Sequence, residues 1–106
     1  MSYRYMRVIV FFDLPSTTYD ERKSYTKFRK FLLNEGFVMM QESVYSKIAL
    51  NSTTAKLIQD RVRKHKAPKG LIQMMVITEK QFAGIEYVIG DRNDKVLDNT
   101  KRLVIF

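Results

Sequence analysis

Asp13 is the residue of this sequence that is best placed to do chemistry. It ends an apolar run from Val8 to Phe12, whose β-branched and aromatic side chains predict a strand buried on both faces. Leu14 and Pro15 follow, and they cannot continue a central strand because proline lacks the backbone N–H that the sheet requires. The sequence therefore predicts a carboxylate held by a rigid strand at the mouth of a turn.

Two interpretations of Asp13 remain open. A single carboxylate is a poor site for Mg²⁺, which keeps several waters and takes further oxygens from substrate phosphates. Two copies of Asp13 near the axis of a two-fold dimer would hold one hydrated divalent ion against a phosphodiester and lower the pKa of its water. In the other interpretation, the side chain only forms an Asx turn with the backbone of Pro15 and Ser16.

Other catalytic groups are scarce in the sequence. His65, the sole histidine, is either a general base or an ordinary residue in the last turn of a basic helix. Ser16, Thr17 and Ser43 lack the histidine or lysine arrangement that activates a nucleophile. The chain contains no cysteine, which excludes disulfides, thiol nucleophiles and cysteine-based zinc sites, and it has no glycine-rich phosphate loop.

The positive charge of the chain is concentrated in two segments. The 106 residues include 19 basic and 11 acidic side chains, a net charge of +8, and the excess lies within residues 18–36 and 53–70. Two basic helices on one side of a sheet favour a polyanionic partner. No phenylalanine, tyrosine or tryptophan lies between Arg61 and Lys66, so contacts to phosphates are expected rather than contacts to bases. The predicted nucleic-acid-binding residues are Arg22, Lys23, Lys27, Lys30, Lys56, Arg61, Arg63, Lys64 and Lys66.

The elements that position these residues follow the order β-α-β-β-α-β. Thr18 and Glu21 have the spacing of a capping box that begins the first helix, and Gly36 ends it. Capping residues at 51–54 begin the second helix, which Pro68 and Gly70 close. The predicted strands cover residues 5–13, 37–40, 44–50 and 71–78. This order predicts an α+β ferredoxin-like fold, with two helices on one face of a four-stranded antiparallel sheet.

Apolar spacing also predicts which helical residues face the sheet. In the first helix these are Tyr25, Phe28, Phe31 and Leu32; in the second helix, Ala55, Ile58, Val62 and His65 share one face.

The chain is expected to form one domain, residues 1–106, with residues 79–106 as a C-terminal extension. Residues 85–89 and 103–106 are predicted as further strands, and an exposed apolar end would be an aggregation hazard. The open face of the sheet also needs a cover. We therefore expect a homodimer whose sheets face each other, with the extension packing on the partner. No membrane span or signal peptide is predicted, so a cytoplasmic protein is expected.

Three segments resemble the CRISPR-associated Cas-two proteins, especially the forms that accompany type II systems. They are Val8 to Asp13 with its turn, Gly36-Phe37 running into Gln41 to Tyr45, and Met75 to Gln81. The resemblance covers essentially the whole chain. It implies a dimer that works with the Cas-one integrase and binds double-stranded DNA in spacer acquisition. It also implies that Asp13 is a Mg²⁺ or Mn²⁺ ligand and a nuclease residue, in a family described both as metal-dependent endonucleases and as non-catalytic scaffolds.

Three functions follow from these observations. The prediction is a DNA-binding adaptor of CRISPR adaptation with, at most, weak Mg²⁺-dependent endonuclease activity. The first alternative is a toxin-like or defensive ribonuclease that cleaves single-stranded RNA and depends on Asp13. The second is a regulatory domain that binds a small metabolite at its dimer interface. The basic helices argue against this last function, because a metabolite sensor does not need them.

Overall fold

The computed structural model describes residues 5–90, which form one four-stranded antiparallel sheet with helices packed on it. The strands are β1 (Met6–Asp13), β2 (Val38–Gln41), β3 (Val44–Ala49) and β4 (Leu71–Thr78), and the helices are α1 (Tyr19–Glu35), α2 (Ser52–Lys64) and α3 (Glu79–Ala83). The strand order is β2-β3-β1-β4, and every neighbouring pair is antiparallel. This arrangement confirms the predicted ferredoxin-like α+β fold.

Helix α1 begins and ends where the sequence predicts. The Thr18 hydroxyl accepts a hydrogen bond from the backbone N–H of Glu21 at 3.1 Å, and Glu21 Oε1 accepts one from the backbone N–H of Thr18 at 3.0 Å. At the other end, Gly36 adopts the left-handed conformation, φ 101°, that a residue with a side chain rarely takes. Between them, Phe28 and Leu32 are buried against the sheet.

Helix α2 is capped by Asn51, whose side-chain oxygen accepts a hydrogen bond from the backbone N–H of Thr54 at 2.8 Å. Its buried residues are Ala55, Ile58 and Val62, as predicted. His65 was predicted on the same face in the last turn; the helix ends one residue earlier, at Lys64, and His65 is its exposed C-terminal cap. Helical spacing stops predicting burial once the helix has ended.

The core lies between the sheet and the layer formed by α1 and α2. Val8, Val10 and Phe12 of β1 belong to the core. Because successive side chains of a strand point to opposite faces of the sheet, Asp13 and every second residue before it lie on the other face. We call this opposite side the open face, since neither α1 nor α2 covers it. Its residues on the three adjoining strands, placed by the register, are Arg7, Ile9, Phe11, Asp13, Val44, Ser46, Ile48, Leu71, Gln73, Met75 and Ile77.

The segment after β4 differs from the prediction. Residues 79–83 form α3, which is capped by Thr78. The Thr78 hydroxyl accepts a hydrogen bond from the backbone N–H of Gln81 at 3.0 Å, and the backbone N–H of Thr78 donates one to Gln81 Oε1 at 2.9 Å. The spacing Thr78-x-x-Gln81 was a usable signal for this helix that the sequence analysis missed.

Residues 85–89 were predicted as a strand and form none among residues 5–90, the part of the chain that the structure describes. A strand needs a neighbour to complete its hydrogen bonds. Instead, the chain turns into α3 directly after β4, and the backbone N–H of Glu79 donates to the carbonyl oxygen of Tyr5 at 2.9 Å. The strand predicted at 103–106 lies outside the described residues.

Candidate functional site

Asp13 is exposed at the end of β1, on the open face and opposite Leu71 of β4. The next residue, Leu14, is buried and belongs to the core. Pro15 then starts the loop that leads to α1. Asp13 therefore lies between the central strand β1 and the buried residue Leu14, where the turn begins.

The Asp13 carboxylate has no hydrogen-bond or ion-pair partner among residues 5–90. The Asx turn with Pro15 and Ser16 is therefore not formed, and no local contact explains the residue. In the same part of the chain, no group of three or more histidine or acidic residues could hold a metal ion. Mg²⁺ is commonly bound by one or two carboxylates together with substrate phosphates. Asp13 fits such a site as one ligand of a set that a second copy or a substrate completes.

Most of the predicted nucleic-acid-binding residues line one groove between α1 and the chain that leaves α2. We call it the basic groove; it encloses about 1070 Å³, and no acidic residue lines it. All six of its cationic residues are exposed. They are Arg22, Lys23, Lys27, Lys30, Lys64 and Lys66.

The other three predicted residues lie outside the basic groove. Arg61 Nε donates to Glu35 Oε1 at 2.8 Å, and the Arg63 guanidinium pairs with Asp60. A paired cation contributes less positive potential to a surface than a free one does. Lys56 is exposed on α2. The structure thus brings together six of the nine predicted cations and leaves three apart.

An aromatic stack in the basic groove was missed by the sequence analysis. The ring centroids of Phe31 and His65 are 4.1 Å apart, and the two planes are inclined by 12°. Both residues line the groove. His65 lies in the basic segment that follows α2, whereas Phe31 comes from α1 and has the spacing of a core residue. Only the packing of the two helices reveals the pair.

Among residues 5–90, no helix has the length and apolar character needed to cross a membrane.

Comparison with known proteins gives consistent matches. The family described as CRISPR associated protein Cas2 matches residues 6–85 of this chain. A protein of Treponema denticola named CRISPR-associated endoribonuclease Cas2 is 47% identical over 100 residues, which cover 94% of this chain and 99% of the relative. A protein of Streptococcus mutans with the same name is 46% identical over 99 residues, covering 93% and 91%. One of Ligilactobacillus salivarius, also so named, is 39% identical over 100 residues, covering 94% and 99%.

Proposed function

Because this chain belongs to the family of CRISPR-associated Cas2 proteins, we propose that it serves CRISPR adaptation as a dimeric scaffold that binds double-stranded DNA beside the Cas-one integrase. The CRISPR-associated role follows from the family. The observation that carries DNA binding is the basic groove, where six exposed cations converge without an acidic residue. Such a surface attracts the phosphate backbone of nucleic acid whatever its sequence.

A second copy of the chain is the proposed cover for the open face. Several large apolar side chains are exposed there: Ile48 is 45% exposed, Leu71 53% and Met75 46%. Several large apolar side chains exposed on one face of a sheet favour an interface there. Two copies that meet through their open faces would leave both basic grooves on the outside, where DNA can reach them.

The same arrangement supports a second candidate function, that of a metal-dependent endoribonuclease. The relatives described above carry the name endoribonuclease, and Asp13 presents a carboxylate without a local partner on the face that would meet the second copy. The two Asp13 side chains would hold Mg²⁺ or Mn²⁺. Such an ion supplies an activated water and stabilises negative charge on a phosphodiester.

Charge reversal tests the DNA-binding surface. Lys27→Glu and Lys64→Glu remove two cations of the basic groove and should weaken duplex binding with little dependence on sequence. Each lost phosphate contact should also reduce the slope of log K against log salt by about 0.9. Lys80→Glu makes the same change of charge on α3, outside the groove, and serves as the matched control. Equal losses for the three variants would contradict a specific role of the groove.

Nuclease assays separate the scaffold from the enzyme. Wild-type protein and Asp13→Asn are incubated with single-stranded RNA and duplex DNA, in Mg²⁺ or EDTA, and duplex binding is measured in parallel. The scaffold predicts duplex binding in EDTA by both proteins and no cleavage that depends on Asp13. RNA cleavage that needs both Mg²⁺ and Asp13 would establish the second function instead.

A further inference from the structure

The stack of Phe31 on His65 gives the basic groove a flat aromatic surface. Phe31 is half-buried and packs against the core, whereas His65 is exposed. The free face of the stack is therefore that of the imidazole. The Phe31 ring packs against the other face of the imidazole in a nearly parallel orientation.

The His65 ring is held in place before any ligand arrives. Its Nδ1 lies 2.9 Å from the carbonyl oxygen of Arg61, which accepts a hydrogen bond from it. Arg61 is itself tied to Glu35 through its side chain. The ring is thus fixed by a stacked neighbour on one face and by a hydrogen bond at one edge. A platform that is already ordered loses little conformational entropy when it binds.

A flat exposed ring surrounded by cations is the combination that binds single-stranded nucleic acid. In such sites the cations follow the backbone, while unpaired bases stack on the ring with little sequence preference. The basic groove provides both features: six cations and the free face of His65. The bases inside a duplex are already stacked on one another, so the interior of a duplex has no base to offer to this ring.

We propose that the basic groove, which can contact a duplex only through its phosphates, also binds single-stranded nucleic acid: one unpaired base stacks on His65 and the neighbouring phosphates contact Lys27, Lys30, Lys64 and Lys66. This inference rests on the proposed nucleic-acid-binding function of the helical layer and adds to it a class of ligand and a mode of contact. The site lies on the helix side of the sheet, whereas Asp13 lies on the open face. A nucleic-acid strand bound in the basic groove is therefore held away from the Asp13 carboxylate.

The test compares two oligomers of equal length and charge, a 15-nucleotide oligothymidylate and its fully abasic counterpart. Wild-type protein should bind the oligothymidylate between roughly fivefold and a hundredfold more tightly, which corresponds to the stacking of one base. The preference should persist in His65→Phe, which keeps a ring, and disappear in His65→Gln, which does not. Both substitutions lose the Nδ1 hydrogen bond, so the difference between them isolates the ring.

A second readout reports stacking itself. The fluorescence of a 2-aminopurine base within an oligothymidylate should be quenched on binding to wild-type protein and His65→Phe, but not on binding to His65→Gln. Equal affinity of wild-type protein for the thymidine and abasic oligomers would overturn the inference, whatever the variants do. If the wild-type protein also fails to bind duplex DNA, the proposed function fails as well. If the wild-type protein binds duplex DNA but does not prefer the oligothymidylate over the abasic oligomer, only the proposed single-strand site is contradicted.

Discussion

A Cβ atom on Gly70 would lie 2.8 Å from the carbonyl oxygen of Asp13. Side-chain carbons essentially never approach a backbone oxygen so closely, and the same atom would stand 2.8 Å from Leu14 Cδ2. The chain that enters β4 can therefore pack against the turn after Asp13 only because residue 70 has no side chain. The position of the candidate metal ligand depends on this glycine.

We expect Gly70→Ala to destabilise the protein more than Gly36→Ala. Both glycines have a positive φ, 102° and 101°, so both variants incur the left-handed penalty of about 1–2 kcal/mol. At Gly36 the nearest neighbour of a new Cβ is the flexible end of Lys47, at 3.4 Å. At Gly70 the neighbour is backbone, which must move. Urea unfolding should give a loss for Gly70→Ala that exceeds the loss for Gly36→Ala by about 1 kcal/mol or more; equal losses would contradict the steric argument.

A partly buried ion pair fastens α3 to the sheet. Arg7 donates from Nε to Glu79 Oε1 at 2.9 Å and from Nη2 to Glu79 Oε2 at 2.7 Å, and its guanidinium lies 4.0 Å from the centroid of the Phe82 ring. The two charged side chains are 18% and 22% exposed. Bidentate geometry, stacking and low exposure are the conditions in which an ion pair stabilises a fold measurably.

A double-mutant cycle with Arg7→Met and Glu79→Gln should therefore give a coupling energy of about 1–2 kcal/mol in urea unfolding. The matched control is the pair of Arg63 and Asp60 on α2, in which both side chains are 57% exposed. Its cycle should give less than about 0.5 kcal/mol, because solvent screens exposed charges. Similar coupling for the two pairs would mean that burial and the Phe82 ring add nothing.

The parts of the fold that local signals specify were predictable from the sequence. The capping box of Thr18 and Glu21, the glycine at position 36 and the asparagine at position 51 each act through backbone groups within three or four residues. The strand that ends at Asp13 was equally clear, because its apolar run is short, consists of β-branched and aromatic residues and is soon followed by Pro15. These signals need no knowledge of what packs against them.

The parts that depend on distant contacts were not predictable. Residues 85–89 have the composition of a strand, yet the sequence does not say whether a neighbouring strand is available to them. The pairing of Phe31 with His65 requires α1 and α2 to be placed side by side. The close approach of Gly70 to Asp13 likewise follows from the register of β4 on β1. In both contacts the two partners are far apart in the sequence, so no short segment of the chain contains both.

The pKa of Glu21 gives a prediction for the pH dependence of stability. A hydrogen bond from the backbone of Thr18 is the main cause that lowers this pKa from its usual 4.5, with help from the backbone of Thr17 and the charge of Lys69, while desolvation acts in the opposite direction. A carboxyl whose folded pKa is depressed stabilises the fold above its unfolded pKa and loses that effect as pH falls through the folded pKa.

The free energy of unfolding of the wild type should therefore exceed that of Glu21→Gln at pH 6, and this difference should shrink as the pH falls below 4.5. Glutamine keeps the shape and the acceptor of the capping box, so the comparison isolates the charge. Asp20→Asn, one residue earlier in the same helical turn, is the control, since Asp20 makes no capping-box contact. A difference for Glu21→Gln that stays constant from pH 6 to pH 3 would contradict the assigned cause.

The open face gives the last prediction, which concerns assembly. Met75 lies on that face opposite Ile9 of β1, and Leu57 lies on α2; they are 46% and 53% exposed. Met75→Glu would bring two carboxylates into the apolar interface of the proposed dimer, and buried charges without partners are costly. We expect its dimer dissociation constant to rise at least about a hundredfold, equivalent to about 2.7 kcal/mol, in sedimentation equilibrium. Leu57→Glu makes the same change of charge at a similarly exposed apolar residue on the helical side and should leave the dissociation constant close to that of the wild type. Dissociation by Leu57→Glu with retention of the dimer in Met75→Glu would place the interface on the helices, where it would compete with the basic groove for the same surface.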